Sequence, residues 1–151
     1  MPFSRKETVL VSFVLVAILM RLVPHPPNVA PITAVALFAG TFFDKKHWAV
    51  LMPLLAMVFT DIFLGFSMIT PVVYLSFLAI TVVGMLFKKM NFGTVLLSSL
   101  VFFALTNLGV WVLHYPLTPE GLMTCFTLAI PFFINSLLGD FFFSALLLFC
   151  L

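Results

Sequence analysis

The sequence predicts an all-α fold, an integral membrane bundle of six transmembrane helices in which a Pro-rich elbow precedes a short second helix. Three observations support this prediction. Hydrophobic residues make up 64% of the chain and charged residues only 8%, and the 20 phenylalanines are spread along nearly its whole length. Helix breakers divide the apolar sequence into six segments. Most of the basic residues come in pairs at the ends of these segments, where they set the orientation of membrane helices.

The segments leave no long polar stretch for a soluble domain, so we expect a single transmembrane domain over residues 1–151. One crossing needs about 20 residues, and the chain has room for six crossings with short loops. The predicted helices cover residues 8–23, 31–43, 48–66, 70–87, 93–113 and 121–151.

The first helix follows Arg5 and Lys6, a start that resembles a signal peptide. Its apolar run continues to Arg21 without a small-residue cleavage site, so we expect it to be retained. With alternating crossings, one face of the membrane receives Arg5, Lys6, Lys45, Lys46, Lys88 and Lys89, and the other receives Arg21 alone. This asymmetry predicts that both termini are cytoplasmic in a multi-pass protein of the inner (plasma) membrane.

The second helix is too short to cross a membrane. Residues 31–43 would extend only about 20 Å as a helix, against a hydrocarbon layer of about 30 Å. The preceding prolines lack amide donors and hold extended geometry. Because irregular backbone is tolerated at membrane depth where it is packed in protein or lines a cavity, we expect the elbow to complete this helix and to form a cavity wall.

The last segment, residues 121–151, is longer than a crossing needs and contains Pro131. A kink, a tilt or a projecting end would accommodate the extra length. Cys125 and Cys150 would be separated by about 37 Å along this helix, which is beyond the reach of a disulfide.

Arg21 and Asp61 are expected at matched depth, near the outer ends of helices one and three. Opposite charges placed there lower each other's desolvation cost. Two interpretations are open. In the first, the pair contacts a ligand. In the second, the two residues are structural, either as an ion pair or with an arginine that snorkels to the headgroups.

Asn107, Trp111 and His114 fall on one face in the outer half of helix five. For Asn107 we favour a role in lining a site; Trp111 offers a stacking face or belongs to the interfacial aromatic belt, and His114 suits the surface. In the last helix, Asn135 lies near the middle. Asp140 lies farther inward, where its carboxylate either couples protons or pairs with the inner lysines, and the second interpretation is slightly favoured.

Together these residues predict a substrate site in the external half of the bundle, formed by Arg21, His25, Asn28, Asp61, Asn107, Trp111 and Asn135. No metal, cofactor or catalytic site is expected, because His47 lies on the opposite side from His25 and His114 and no nucleophile–base pair has recognisable spacing. The paired basic residues give no patch for nucleic acid.

Several stretches resemble known families. The segments "RLVPHPPNVAPITAVALFAG", "LTNLGVW", "YPLTPEGL" and "IPFFINSLLGD" resemble an uncharacterised family of small six-helix integral membrane proteins with an RLxPHPPN motif. The run from "PPNVAP" to "TDIFLG" resembles the first half of the substrate-binding S components of energy-coupling factor (ECF) vitamin transporters. The positions that match this second pattern are Pro31, Ala36, Ala39, Gly40, Asp61 and Gly65.

The S-component resemblance implies a binding site open to the outside and a small-residue face on an early helix that contacts a transmembrane coupling subunit with its ATPases. Ala34, Ala36 and Gly40 are the predicted contact residues, and packing inside the bundle is the alternative role for such spacing. The predicted function is therefore binding and uptake of a micronutrient-like or vitamin-like small molecule. The alternatives are a stand-alone proton-coupled or facilitative transporter, an intramembrane enzyme, and a non-catalytic assembly subunit.

Overall fold

The structure, a computed structural model, describes residues 4–25 and 28–151, so Pro26 and Pro27 of the predicted elbow lie outside the described residues. Within these ranges the chain forms six α-helices and the predicted all-α fold is confirmed. The helices are α1 (Arg5–Leu22), α2 (Ile32–Phe42), α3 (Lys46–Leu64), α4 (Thr70–Phe87), α5 (Phe92–His114) and α6 (Pro119–Cys150). Their ends lie within three residues of the boundaries expected from the sequence.

Four of these helices, α3 to α6, are long and apolar enough to cross a membrane, which indicates a membrane protein. The 18 residues of α1 carry charged side chains at both ends of the helix, and α2 has only 11 residues. Crossing by α1 and by α2 with its elbow therefore stays a prediction.

Side chains near the helix ends explain where several helices begin. Ser4 and Glu7 form a capping box at α1, and Asn91 and Thr94 form one at α5. Thr118 caps α6 by accepting a hydrogen bond from the backbone N–H of Gly121 at 3.1 Å. α6 then runs without interruption through Pro131 to Cys150.

The short helix α2 lies at the centre of the bundle. Every residue from Ile32 to Gly40 is buried, and α2 contacts each of the other five helices, α4 most extensively. Because α2 is apolar on all sides, burial on all sides is the arrangement its sequence favours. It is thus the helix around which the others assemble.

The backbones of α2 and α4 touch where two glycines meet. A Cβ atom added to Gly84 would collide with the backbone of Leu37 and Thr41, and one added to Gly40 would collide with the backbone of Thr81. The small-residue spacing is therefore used inside the bundle. Ala34, Ala36 and Gly40 are buried and contact other helices of the same chain, so in this conformation they are not exposed to the coupling subunit for which they were predicted.

One end of the bundle collects the start of α1, the end of α6 and basic residues. Arg5 Nε donates a hydrogen bond to the carbonyl of Cys150 at 3.3 Å, and Lys6 Nζ lies 5.7 Å from the ring centroid of Phe42 at the end of α2. The contact of Gly40 with Gly84 brings the end of α4 to the same side. The opposite end, which we call the elbow end, carries the elbow and the α3–α4 turn.

Gly84→Ala tests the α2–α4 contact. Because the new methyl group meets backbone rather than a flexible side chain, we expect the substitution to destabilise the protein by about 1–3 kcal/mol. Gly93→Ala is the matched control, since its Cβ would meet only Asn91 Oδ1 at 3.5 Å and the change favours helix by at most about 1 kcal/mol. Unfolding in mixed micelles measures both. Equal stability of the two variants would contradict the contact.

Candidate functional site

Residues 28–31, the described part of the elbow that directly precedes α2, lead the chain into the bundle. Asn28 adopts a left-handed conformation with φ of 61°, which asparagine tolerates better than most side chains. Val29 then packs against Gly139 of α6, and Pro31 is fully buried. α2 begins deep in the protein. Near its start, Thr33 lies beside Asp140 of α6, which is hydrogen-bonded to Ser99 of α5. Ser99 is about 22 Å along α5 from His114, where that helix ends.

A cavity lies beneath the elbow, and we call it the elbow cavity. It has two adjoining compartments of about 240 and 260 Å³, which share Asn28, Val73, Phe102 and Ser136 as walls. The smaller one, the Asn107 compartment, is also lined by Phe103, Thr106, Asn107, Ala129, Phe132 and Phe133. The larger one, the Asp140 compartment, is also lined by Arg21, His25, Ala30, Ile32, Thr33, Leu64, Phe77 and Asp140.

An ion pair at the elbow end joins three helices. Arg21 Nη2 lies 2.5 Å from Asp61 Oδ1, and Arg21 Nε donates to Thr60 Oγ1 at 2.7 Å. The hydroxyl of Tyr74 donates to Asp61 Oδ2 at 2.7 Å. Both carboxylate oxygens of Asp61 therefore have partners, and Asp61 is not among the residues that line the elbow cavity.

Arg21 differs from Asp61, because it also lines the Asp140 compartment. A guanidinium has five N–H groups, and its bonds to Thr60 and Asp61 leave others able to donate into the cavity. His25 lines the same compartment. Its Nδ1 lies 2.8 Å from the carbonyl of Val23 and must carry the proton, so Nε2 of the neutral ring is an acceptor.

Asp140 of α6 is the second buried carboxylate, with 2% of its surface exposed. Ser99 of α5 donates to Asp140 Oδ2 at 2.6 Å, and the hydroxyl of Thr33 of α2 adjoins the same carboxyl group. The slightly favoured prediction, that Asp140 pairs with an inner lysine, is wrong. Within the described residues, the ion pair that forms joins Arg21 and Asp61. The lysines concerned are exposed at or just beyond the helix ends, whereas Asp140 lines the cavity inside the bundle; they are Lys45, Lys46, Lys88 and Lys89.

The walls of the cavity are aromatic. Phe77 and Phe102 have ring centroids 5.1 Å apart, and Phe103 and Phe133 have centroids 4.6 Å apart. The two pairs lie in the Asp140 and Asn107 compartments, respectively. Aromatic faces with a few polar groups are typical of small-molecule sites.

Not every predicted site residue reaches this cavity. Arg21, His25, Asn28 and Asn107 line it, and Asp61 lies behind Arg21. Trp111 Nε1 donates to the carbonyl of Pro116 at 3.0 Å, in the α5–α6 turn. Neither Trp111 nor Asn135 is among the lining residues.

Other lining residues had not been selected from the sequence as site residues. Thr33 and the phenylalanines gave no signal, since hydroxyl and aromatic side chains occur throughout the chain. Asp140 had a signal, a carboxylate in an apolar helix, but its position at the cavity depends on how α6 is rotated. The described residues contain no group of three or more His, Cys, Asp or Glu side chains that could hold a metal ion.

The chain belongs to a family of unknown function (DUF6580), whose sequence model matches residues 2–151. The resemblance to an uncharacterised family is thus confirmed at that level. No curated protein and no solved structure matches the chain.

A double-mutant cycle tests the ion pair. Arg21→Met leaves the Asp61 carboxylate buried beside Tyr74 alone and should cost about 3–5 kcal/mol. Adding Asp61→Asn removes that uncompensated charge, so we expect the double variant to be more stable than the sum of the single changes predicts, by about 1–3 kcal/mol. Equilibrium unfolding in mixed micelles measures all three variants.

Arg5→Met is the matched control, because Arg5 is exposed and bonds only to the carbonyl of Cys150 among the described residues. Its effect should stay within about 0.5 kcal/mol. Strict additivity of Arg21→Met and Asp61→Asn would mean that the two side chains do not stabilise each other.

Proposed function

We propose that this protein binds a small molecule in the elbow cavity and takes it up across the membrane. The observation that carries the proposal is the elbow cavity itself, in which polar groups of α1, the elbow, α2, α5 and α6 converge among phenylalanines. Membrane proteins seldom place polar side chains within apolar helices unless those side chains serve a site, a pathway or each other. Here both oxygens of Asp61 and the hydroxyl of Tyr74 are used internally. Asn28, Asn107 and Asp140 line a cavity, while Asn107 also donates to the carbonyl of Phe103 and Asp140 also accepts from Ser99.

The size of the cavity supports a compact ligand. Small-molecule sites typically occupy about 300–1,000 Å³, and the two compartments of about 240 and 260 Å³ adjoin through shared walls. A flat ring system could pack against the phenylalanine side chains that line the compartments, with polar substituents directed to Asn107 or to the Arg21 side. These features favour a heterocyclic, vitamin-like or other micronutrient-like molecule over a long lipid chain.

The direction of uptake follows from the proposed topology. We infer six crossings, with both termini and the paired basic residues in the cytoplasm and the elbow end facing outward. In this orientation the elbow cavity receives its ligand from outside. Broken helices and irregular backbone at mid-membrane depth form the binding sites of many transporters, and the elbow followed by the short helix α2 has this character.

Two sources of energy are compatible with this proposal. The S-component resemblance favours an ATPase module with a coupling subunit, since the chain itself contains no GxxxxGK[ST] motif. Because Ala34, Ala36 and Gly40 are buried, that subunit would have to bind an exposed surface elsewhere. A stand-alone carrier is the second candidate, favoured by the buried Asp140 carboxyl group, which could carry a proton through the cycle.

Val73→Phe tests the binding site. Val73 is a wall of both compartments, so a phenyl ring there should fill part of the cavity and lower ligand retention at least about tenfold, or about 1.4 kcal/mol. The measurement is mass spectrometry of small molecules that stay bound to protein purified in nanodiscs.

Val82→Phe, on the exposed side of the same helix, is the matched control and should retain the molecule as the unchanged protein does. The proposal fails if no molecule is enriched over an unrelated membrane protein, or if Val73→Phe leaves retention unchanged. Proteoliposomes that contain only this chain then separate the candidates, because a stand-alone carrier transports the retained molecule and a protein that needs an ATPase module does not.

A further inference from the structure

We propose that Asp140 is the counterion for a protonated amine, or another cationic nitrogen, on the molecule that the elbow cavity binds. The inference rests on the proposed function and adds the substrate class to it. It follows from the contrast between two carboxylates that are buried to a similar degree but are surrounded very differently.

Asp61 has a complete set of partners. A guanidinium neutralises it, and a phenol donates to its second oxygen. Asp140 is less exposed, at 2% against 5%, yet the described residues place no basic group within ion-pairing distance of it. Its recorded neighbours are the hydroxyl groups of Ser99 and Thr33, which solvate a charge without neutralising it. A buried carboxylate without a cation is costly, and a cation that enters the adjacent space would remove that cost.

The space beside Asp140 suits an organic cation. Phe77 and Phe102 line the same compartment, with ring centroids 5.1 Å apart. Aromatic faces attract ammonium groups, and the attraction is strongest where water is excluded. Hard metal cations need oxygen ligands on most sides, whereas the lining of this compartment combines one carboxylate and two hydroxyl groups with two phenyl rings and aliphatic side chains. The mixture favours a nitrogen cation attached to a carbon framework.

The charges around the Asp140 compartment support the same choice. Arg21 and Asp61 neutralise each other as a pair. Although Arg21 also lines the compartment, Asp61 behind it balances its charge, so these two side chains and Asp140 together carry one net negative charge and a cationic ligand is favoured over a neutral or an anionic one. The unused N–H groups of Arg21, the His25 ring and the Asn28 amide can still hydrogen-bond neutral polar groups elsewhere on the ligand.

The test uses benzylammonium chloride as the probe and benzyl alcohol as its uncharged counterpart, each titrated into the purified full chain in nanodiscs. Binding is read from calorimetry and from the unfolding temperature. We expect saturable binding of benzylammonium at least about tenfold tighter than binding of benzyl alcohol, because the ammonium makes charge-assisted bonds to Asp140. Asp140→Asn should remove this preference. Its amide has the size of the carboxyl group and can still accept the hydrogen bond of Ser99.

Asp44→Asn is the matched control, since Asp44 is exposed in the α2–α3 turn, and it should keep the preference for benzylammonium. Ser99→Ala is a second variant in case Asp140→Asn fails to fold, and it should weaken benzylammonium binding more than benzyl alcohol binding. A sodium chloride titration distinguishes an inorganic cation site, for which Na⁺ itself would stabilise the unchanged protein and not Asp140→Asn.

Equal binding of the two probes would overturn the inference, and so would a preference for benzylammonium that survives Asp140→Asn or stabilisation by Na⁺ that requires Asp140. Absence of saturable benzylammonium binding would overturn it too. The proposed function fails separately, when no retained molecule depends on Val73. Retention of a neutral or anionic molecule that Val73→Phe removes would leave the proposed function standing and the cationic class refuted.

Discussion

The contact between the backbones of α2 and α4 is the constraint on which the rest of the structure depends. Gly40 and Gly84 let the two helices approach until main-chain atoms touch, and this places an 11-residue helix at the centre of the bundle. Because α2 is so short, it occupies only part of the depth that its neighbours span. The elbow precedes α2 in the remaining depth, where residues of α4, α5 and α6 line the cavity. The cavity is a consequence of the short central helix.

The polar side chains around that space fall into two groups. One group is a set of hydrogen bonds across α1, α3 and α4, formed by Arg21, Thr60, Asp61 and Tyr74. Its two charges, on Arg21 and Asp61, neutralise each other. A second group joins α6, α5 and α2, where Ser99 donates to Asp140 and Thr33 lies beside it, and this group includes a carboxyl group without a basic partner among the described residues. In a medium that cannot solvate charge, the first group holds helices together. The second group is suited to binding a ligand.

The sequence alone predicted the helices well, because an apolar run between breakers has few ways to fold in a membrane. It also predicted that Arg21 and Asp61 lie at matched depth, since both positions are counted from helix ends. It did not predict that Asp140, Ser99 and Thr33 meet, because that meeting depends on the rotation of three helices about their axes. Nearly uniform hydrophobicity leaves these rotations unmarked in the sequence. For the same reason the prediction for the face of α5 was only partly right. Asn107 lines the cavity, whereas Trp111 donates to the carbonyl of Pro116.

The touching glycines also limit how the protein can move. Two helices whose main chains are in contact cannot slide or turn past each other without disturbing that contact, so the contact favours movement of α2 and α4 as one unit. Val73 and Phe77 belong to this unit, whereas Phe102 and Ser136 on the facing walls belong to α5 and α6. The walls contributed by α1, α3, α5 and α6 are not held by this contact, so the short central helix and α4 form the most constrained part of the cavity wall.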